Sequence, residues 1–195
     1  MSVASAAPPV ATPATRRRPG RRMVLALVLA AALATGAAYA GLQPAPAERA
    51  PALTAGDPIV LPPGAIAAVA RQVGHPVYGA PARAGSRLEV TRGTRGEVWV
   101  RYLVGAARAG DDRAQFLTVG TYPVAGALEA ARRAAKGAAT RSAPVPGGGL
   151  MLWNVERPTS VYLAHPGSSL LVEVYSPDAE QARSLARGGA VVPIR

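Results

Sequence analysis

The sequence predicts an α+β fold, a small and mostly antiparallel β-sheet domain with two or three helices, preceded by one transmembrane helix. Three observations predict it. An uncharged apolar segment runs from Met23 to Leu42. After Pro63 come short runs of β-forming residues broken by Gly and Pro. Between them lie segments whose apolar residues recur at helical spacing.

Residues 1–22 hold Ala, Pro, Ser, Thr and Val without a period that could bury a face, which predicts a disordered basic cytoplasmic tail. The 20 residues of 23–42, at ~1.5 Å rise each, match the thickness of a hydrocarbon core. Arg16, Arg17, Arg18, Arg21 and Arg22 precede this span, whereas the following flank carries only Glu48 and Arg49. That asymmetry places the N-terminus in the cytoplasm and everything after Leu42 outside the cell membrane. The rival is a signal peptide: Met23 to Leu33 has the length of an h-region, and Ala38-Tyr39-Ala40 before Gly41 is an A-x-A pattern, so cleavage after Ala40 would yield a secreted protein. Residues 43–62, with Pro44, Pro46, Pro51, Pro58 and Pro62, read as a semi-extended Pro-rich linker, leaving 63–195 as the extracytoplasmic domain.

Within that domain, Ile66, Val69, Ala70 and Val73 predict a short helix stopped by Gly74. Arg87 to Thr91 and Glu97 to Leu103 flank a Gly93–Gly96 turn and predict a hairpin, and Phe116 to Tyr122 a third strand. Ala125 to Lys136 reads as a helix. Leu150–Asn154, Thr159–His165 and Leu170–Tyr175 then predict three more strands, followed by a helix opened by Pro177-Asp178 and running to about Arg187. The order βββα thus occurs twice, with a tyrosine and a proline closing each third strand, which suggests a duplicated unit. Val191 to Ile194 would add a last edge strand, where Pro193 is tolerated.

Charge and composition narrow the function classes. The chain carries a net charge of +11, but the arginines ahead of the apolar segment supply +5, and from Asp57 onward 16 basic and 10 acidic residues leave +6. All but Lys136 of the basic residues are arginine. A domain outside the membrane makes nucleic acid an unsuitable partner, while the surplus suits an anionic envelope component or an envelope protein. With no cysteine, thiol nucleophiles, Cys-ligated zinc and iron–sulfur clusters are excluded. No G-x-S-x-G, S-x-x-K or H-E-x-x-H pattern occurs. Neither a cofactor nor a catalytic residue is predicted.

The candidate site residues are few. His75 and His165, each followed by proline, are the metal-site or general-base candidates if the fold joins them, with Asp111, Asp112 or Glu173 as a third member. The alternative is that both are turn residues. Pro146-Gly147-Gly148-Gly149 precedes a strand and lacks G-K-[ST], so it reads as a turn and not as a phosphate loop. Asp111-Asp112 reads as a solvated loop tip. Trp99, Tyr102, Tyr122, Trp153, Tyr162 and Tyr175 all fall on predicted strands, which assigns them to the core and one sheet face.

Three strings are similar to segments of uncharacterised single-pass membrane proteins of actinobacteria: Gly74-His75-Pro76-Val77-Tyr78, Phe116-Leu117-Thr118-Val119-Gly120-Thr121-Tyr122-Pro123, and Arg157-Pro158-Thr159-Ser160-Val161-Tyr162. The resemblance covers roughly Pro63 to the end and implies envelope placement, with no activity or catalytic residue to carry over. The expectation is a membrane-anchored, non-enzymatic binding or sensing module. Its alternatives are an envelope hydrolase or metal-dependent enzyme using His75 and His165, and an assembly component that recruits partners through its transmembrane helix.

Overall fold

Alternating β-branched residues build the centre of the molecule. The computed structural model describes residues 51–194. Val90, Val98, Val100, Val119, Val161, Val172 and Val174 fall at every second position of their strands and are at most 1% exposed. The strands that carry them form one antiparallel sheet. In chain order they are β1 (Ile59–Leu61), β3 (Arg87–Arg92), β4 (Val98–Leu103), β5 (Thr118–Pro123), β6 (Thr140–Val145), β7 (Gly149–Asn154), β8 (Arg157–Ala164) and β9 (Leu170–Tyr175). In space the order is β1-β3-β4-β5-β9-β8-β7-β6. A separate two-stranded ribbon pairs β2 (Tyr78–Gly79) with β10 (Val192–Pro193).

Three helices cover this sheet. α1 (Ile66–Val73) follows a 3₁₀ turn at Pro63–Ala65 and ends at Gly74, whose φ of 77° is the left-handed conformation that closes a helix. It lays Ile66 and Val69 on the valine face. α3 (Ala179–Arg187) sets Ala182 and Ala186 on the same face, and together they enclose the main core with Leu61, Tyr102, Met151 and Leu163. α2 (Ala127–Ala134) packs on the opposite face, where Ala127, Leu128 and Ala131 meet Leu150, Leu152, Ala164 and Leu171. The β4–β5 connection covers another part of that face, with Phe116 and Ala107 closing over Leu103. Between α2 and this connection a strip of sheet stays half-covered. The fold therefore has one face closed over the main core and one face with an opening.

Five features differ from the sequence reading. Ile59–Leu61 forms β1 against β3, and Leu53 and Leu61 are 6% and 3% exposed, so the packed domain takes in residues assigned by composition to the linker. β6 is an additional strand. α2 is shorter than Ala125 to Lys136. The turn before β8 is Val155-Glu156, where Asn154 accepts a hydrogen bond from the Glu156 N–H at 2.7 Å, so Arg157 and Pro158 belong to the strand. The last strand joins Tyr78–Gly79, away from the main sheet, because Ile194 N–H donates to Val77 at 2.8 Å.

No helix among the described residues is long and apolar enough to cross a membrane. The segment 23–42, its five flanking arginines, the A-x-A pattern and residues 43–50 lie outside the described residues.

Candidate functional site

Sheet register places the site. Residues directly opposite one another share a face, so Trp99, Gly120, Glu173 and Tyr162 form one row across β4, β5, β9 and β8. Arg101, Thr118, Tyr175 and Ser160 form the next row. These rows fill the strip between α2 and the β4–β5 connection. Trp99, Tyr122, Ser160, Tyr162, Glu173 and Tyr175 are all half-buried there.

Glu173 is the hub. Its Oε2 accepts from the Tyr122 hydroxyl at 2.5 Å, and its Oε1 accepts from Ser160 Oγ at 2.7 Å and from Tyr162 Oη at 3.4 Å. The Trp99 indole N–H in turn donates to Tyr122 Oη at 2.9 Å, and the two rings meet edge to face with centroids 5.8 Å apart. Gly120 makes this geometry accessible. It lies between Trp99 and Glu173 in the row, and the Tyr122 ring folds back across it, so close that a Cβ at Gly120 would stand 2.8 Å from Tyr122 Oη. A bare backbone at this one position lets a tyrosine two residues along reach the carboxylate next door.

Burial pushes the Tyr122 phenol well above its usual range, and the neighbouring Glu173 carboxylate pushes it further. Its proton is held. The hydroxyl is accordingly a donor at neutral pH and neither a base nor a nucleophile. Among the described residues none of the ion pairs involves Glu173. Among the described residues its hydrogen-bond donors are hydroxyls.

A second polar cluster fixes the wall of the opening. Glu89, fully buried, accepts from Arg101 Nη1 at 2.8 Å and from the Gly110 N–H at 2.6 Å, while Arg101 also donates to the Asp111 carbonyl. The Arg101 guanidinium lies 5.1 Å from the Phe116 ring centroid, and Tyr175 Oη donates to the Ala114 carbonyl at 2.5 Å. These bonds tie the β4–β5 connection to the sheet at three points. Asp111 is held by Arg113, whose hydrogen bonds at 2.5 to 3.1 Å bring the carboxyl down to about 2. A shallow recess of ≈ 450 Å³ lies on this connection, lined by Arg108, Asp111, Asp112 and Arg113 among others. Its Asp111 and Arg113 already bind each other, so the Glu173 row is the more informative site.

The histidines fall elsewhere. Nδ1 of His75 lies 2.8 Å from the Pro76 carbonyl oxygen and Nε2 2.7 Å from the Gly96 carbonyl oxygen, and whichever nitrogen carries the proton donates, pinning the ring to the β3–β4 turn. Each nitrogen faces a carbonyl and not an open position for a metal. His165 follows the last residue of β8, packed so closely on Gly149 that a Cβ there would lie 2.6 Å from its Nδ1. The two turns are about three strand spacings apart in the sheet order, on the order of 15 Å, too far for ligands that each sit ~2 Å from one metal. Asp111 and Asp112 lie on the β4–β5 connection and Glu173 on β9, so the suggested third members join neither histidine. Among the described residues no group of three His, Cys, Asp or Glu is placed to hold a metal ion. Pro146–Gly148 is a 3₁₀ turn leading directly into β7, with no helix behind it to receive a phosphate.

Compared with family models, curated proteins and solved structures, the chain matches none.

Proposed function

We propose that the chain is a membrane-anchored, extracytoplasmic binding module whose ligand face is the strip between α2 and the β4–β5 connection. One observation carries the reading: a carboxylate on a central strand, gathered by three hydroxyls and bordered by aromatic rings, lies half-open on the sheet face between α2 and the β4–β5 connection. Aromatic rings and oriented polar groups on a rigid sheet are the usual composition of recognition surfaces. The held proton of Tyr122 and the engaged nitrogens of His75 favour binding over acid–base chemistry. The five arginines before the apolar segment support the anchoring and the orientation.

The test is hydrogen exchange on the full chain with and without an extract of the cell envelope. Slower exchange confined to β5, β8, β9 and the β4–β5 connection is expected. Unchanged exchange there, or protection elsewhere only, refutes the reading. Anchoring is tested separately by intact mass and by protease added to whole cells: a full-length mass and digestion from outside are expected, and a mass beginning at Gly41 marks a secreted protein.

We also infer that the domain arose from a duplicated four-stranded unit. Strands β1, β3, β4, β5 mirror β6, β7, β8, β9 across the β5–β9 pair, whereas α2 and α3, which follow the two sets in the chain, pack on opposite faces and fall outside the symmetry. β1 and β6, both outside the sequence-predicted repeats, supply the fourth strand of each half. Superposition of the two halves with matching connectivity over all four strands tests it, and a superposition limited to one hairpin would reject it.

A further inference from the structure

The atoms left open in the Glu173 cluster are acceptors. When the carboxylate is ionised, the Tyr122, Ser160 and Tyr162 hydroxyls direct their protons at it, and the Trp99 N–H is committed to Tyr122. Oε2 of Glu173 accepts from Tyr122 with two lone pairs to offer, and Ser160 Oγ keeps its own lone pairs. A ligand that itself brought acceptors here would find no proton to receive. A ligand of N–H donors would find several oxygens.

Charge gives the same answer. Arg101, in the neighbouring row, already pairs with Glu89 at 2.8 Å and bonds the Asp111 carbonyl, so it is committed away from Glu173. Half-buried carboxylates gain most from a cation when no protein cation is in contact. The bordering Trp99 and Tyr122 rings add faces and edges against which an alkyl chain or an ammonium can rest.

Resting on the reading of this strip as a ligand face, the geometry points to a primary ammonium group as the ligand, with its N–H bonds directed at Glu173 and Ser160 and its alkyl chain along Trp99. Such a group has three donors and no acceptor, which complements the cluster atom for atom. A quaternary ammonium has the charge without the donors. A neutral alcohol has a donor without the charge.

The experiment uses the full chain in detergent with Trp153→Phe, which leaves Trp99 as its single tryptophan. Trp99 emission is titrated at constant ionic strength with n-butylammonium, with N-acetyl-lysine amide, with tetramethylammonium and with 1-butanol. A saturable change with n-butylammonium or the lysine amide is expected, the first for a free amine and both for an amine carried on a peptide. Glu173→Gln, which preserves shape and can still accept from Tyr122, should weaken it about tenfold or more. Ser160→Ala should weaken it less and guards against a Glu173→Gln variant that fails to fold. Equal response to tetramethylammonium or 1-butanol, or an undiminished response in both variants, overturns the inference. Protection of the strip by envelope extract without any response to the amines would overturn this ligand class and leave the ligand face standing.

Discussion

Replacing Gly120 by alanine would put a methyl group 2.8 Å from the Tyr122 ring, in a strand paired on both sides. Neither strand can retreat, so the tyrosine must move and its bonds to Trp99 and Glu173 must break. Overpacking of this kind costs about 1–3 kcal/mol, and urea denaturation of Gly120→Ala should show a loss of that size. In a Tyr122→Ala background the same substitution should cost little, because the crowded ring is gone. A full penalty in both backgrounds would remove the role assigned to Gly120. A charged residue between two core valines, Val172-Glu173-Val174, signals in sequence that β9 turns a polar side chain to its other face. What sequence does not disclose is the partner, since Tyr122 and Glu173 are 51 positions apart and meet only through the β5–β9 pairing.

At the scale of elements, the β4–β5 connection responds to acid. Arg113's hydrogen bonds lower the Asp111 carboxyl to about 2, below the ~3.9 of an unfolded chain. The ionised form is thus favoured by the folded connection, and that contribution is complete above pH ~4 and disappears as pH falls toward 2. Protection of the Ala109–Arg113 amides, with intrinsic exchange at each pH divided out, should fall across this window in the native chain and stay nearly constant in Asp111→Asn. α3 depends on its first turn. Asp178 caps it by accepting from Glu180 and Gln181 N–H at 2.9 and 3.3 Å, so Asp178→Ala should lower stability by about 1 kcal/mol in thermal or urea unfolding. Asp178 after Pro177 was legible as a helix start because capping is local chemistry. β6 was not, because Thr140-Arg141-Ser142-Ala143-Pro144-Val145 shows no apolar alternation. It is an outermost strand with β7 on one side only, where Pro144 is tolerated. β1 was hidden for a similar reason, three residues among prolines whose strand character comes from β3.

For the molecule as a whole, the core begins earlier in the chain than composition indicates. Leu61 is 3% exposed and belongs to the main cluster with Val90 and Ile66. Leu61→Ala should therefore cost about 2–5 kcal/mol, where a linker position would cost almost nothing, and the urea midpoint distinguishes the two. The α+β class and the succession of strands and helices were readable because periodicity reports burial. The sheet order was not, because periodicity does not say which strands are neighbours. That order has a consequence in time. The middle of the sheet is the β5–β9 pair, and its second strand ends at Tyr175 of a 195-residue chain. During synthesis β1, β3, β4 and β5 must wait with the edge of β5 unpaired until β9 emerges, a long-range closure that is slow and exposes an adhesive strand. The sheet is thus closed late by its central pair, and a chain shortened before Leu170 should be taken up by chaperones or aggregate instead of leaving a stable half.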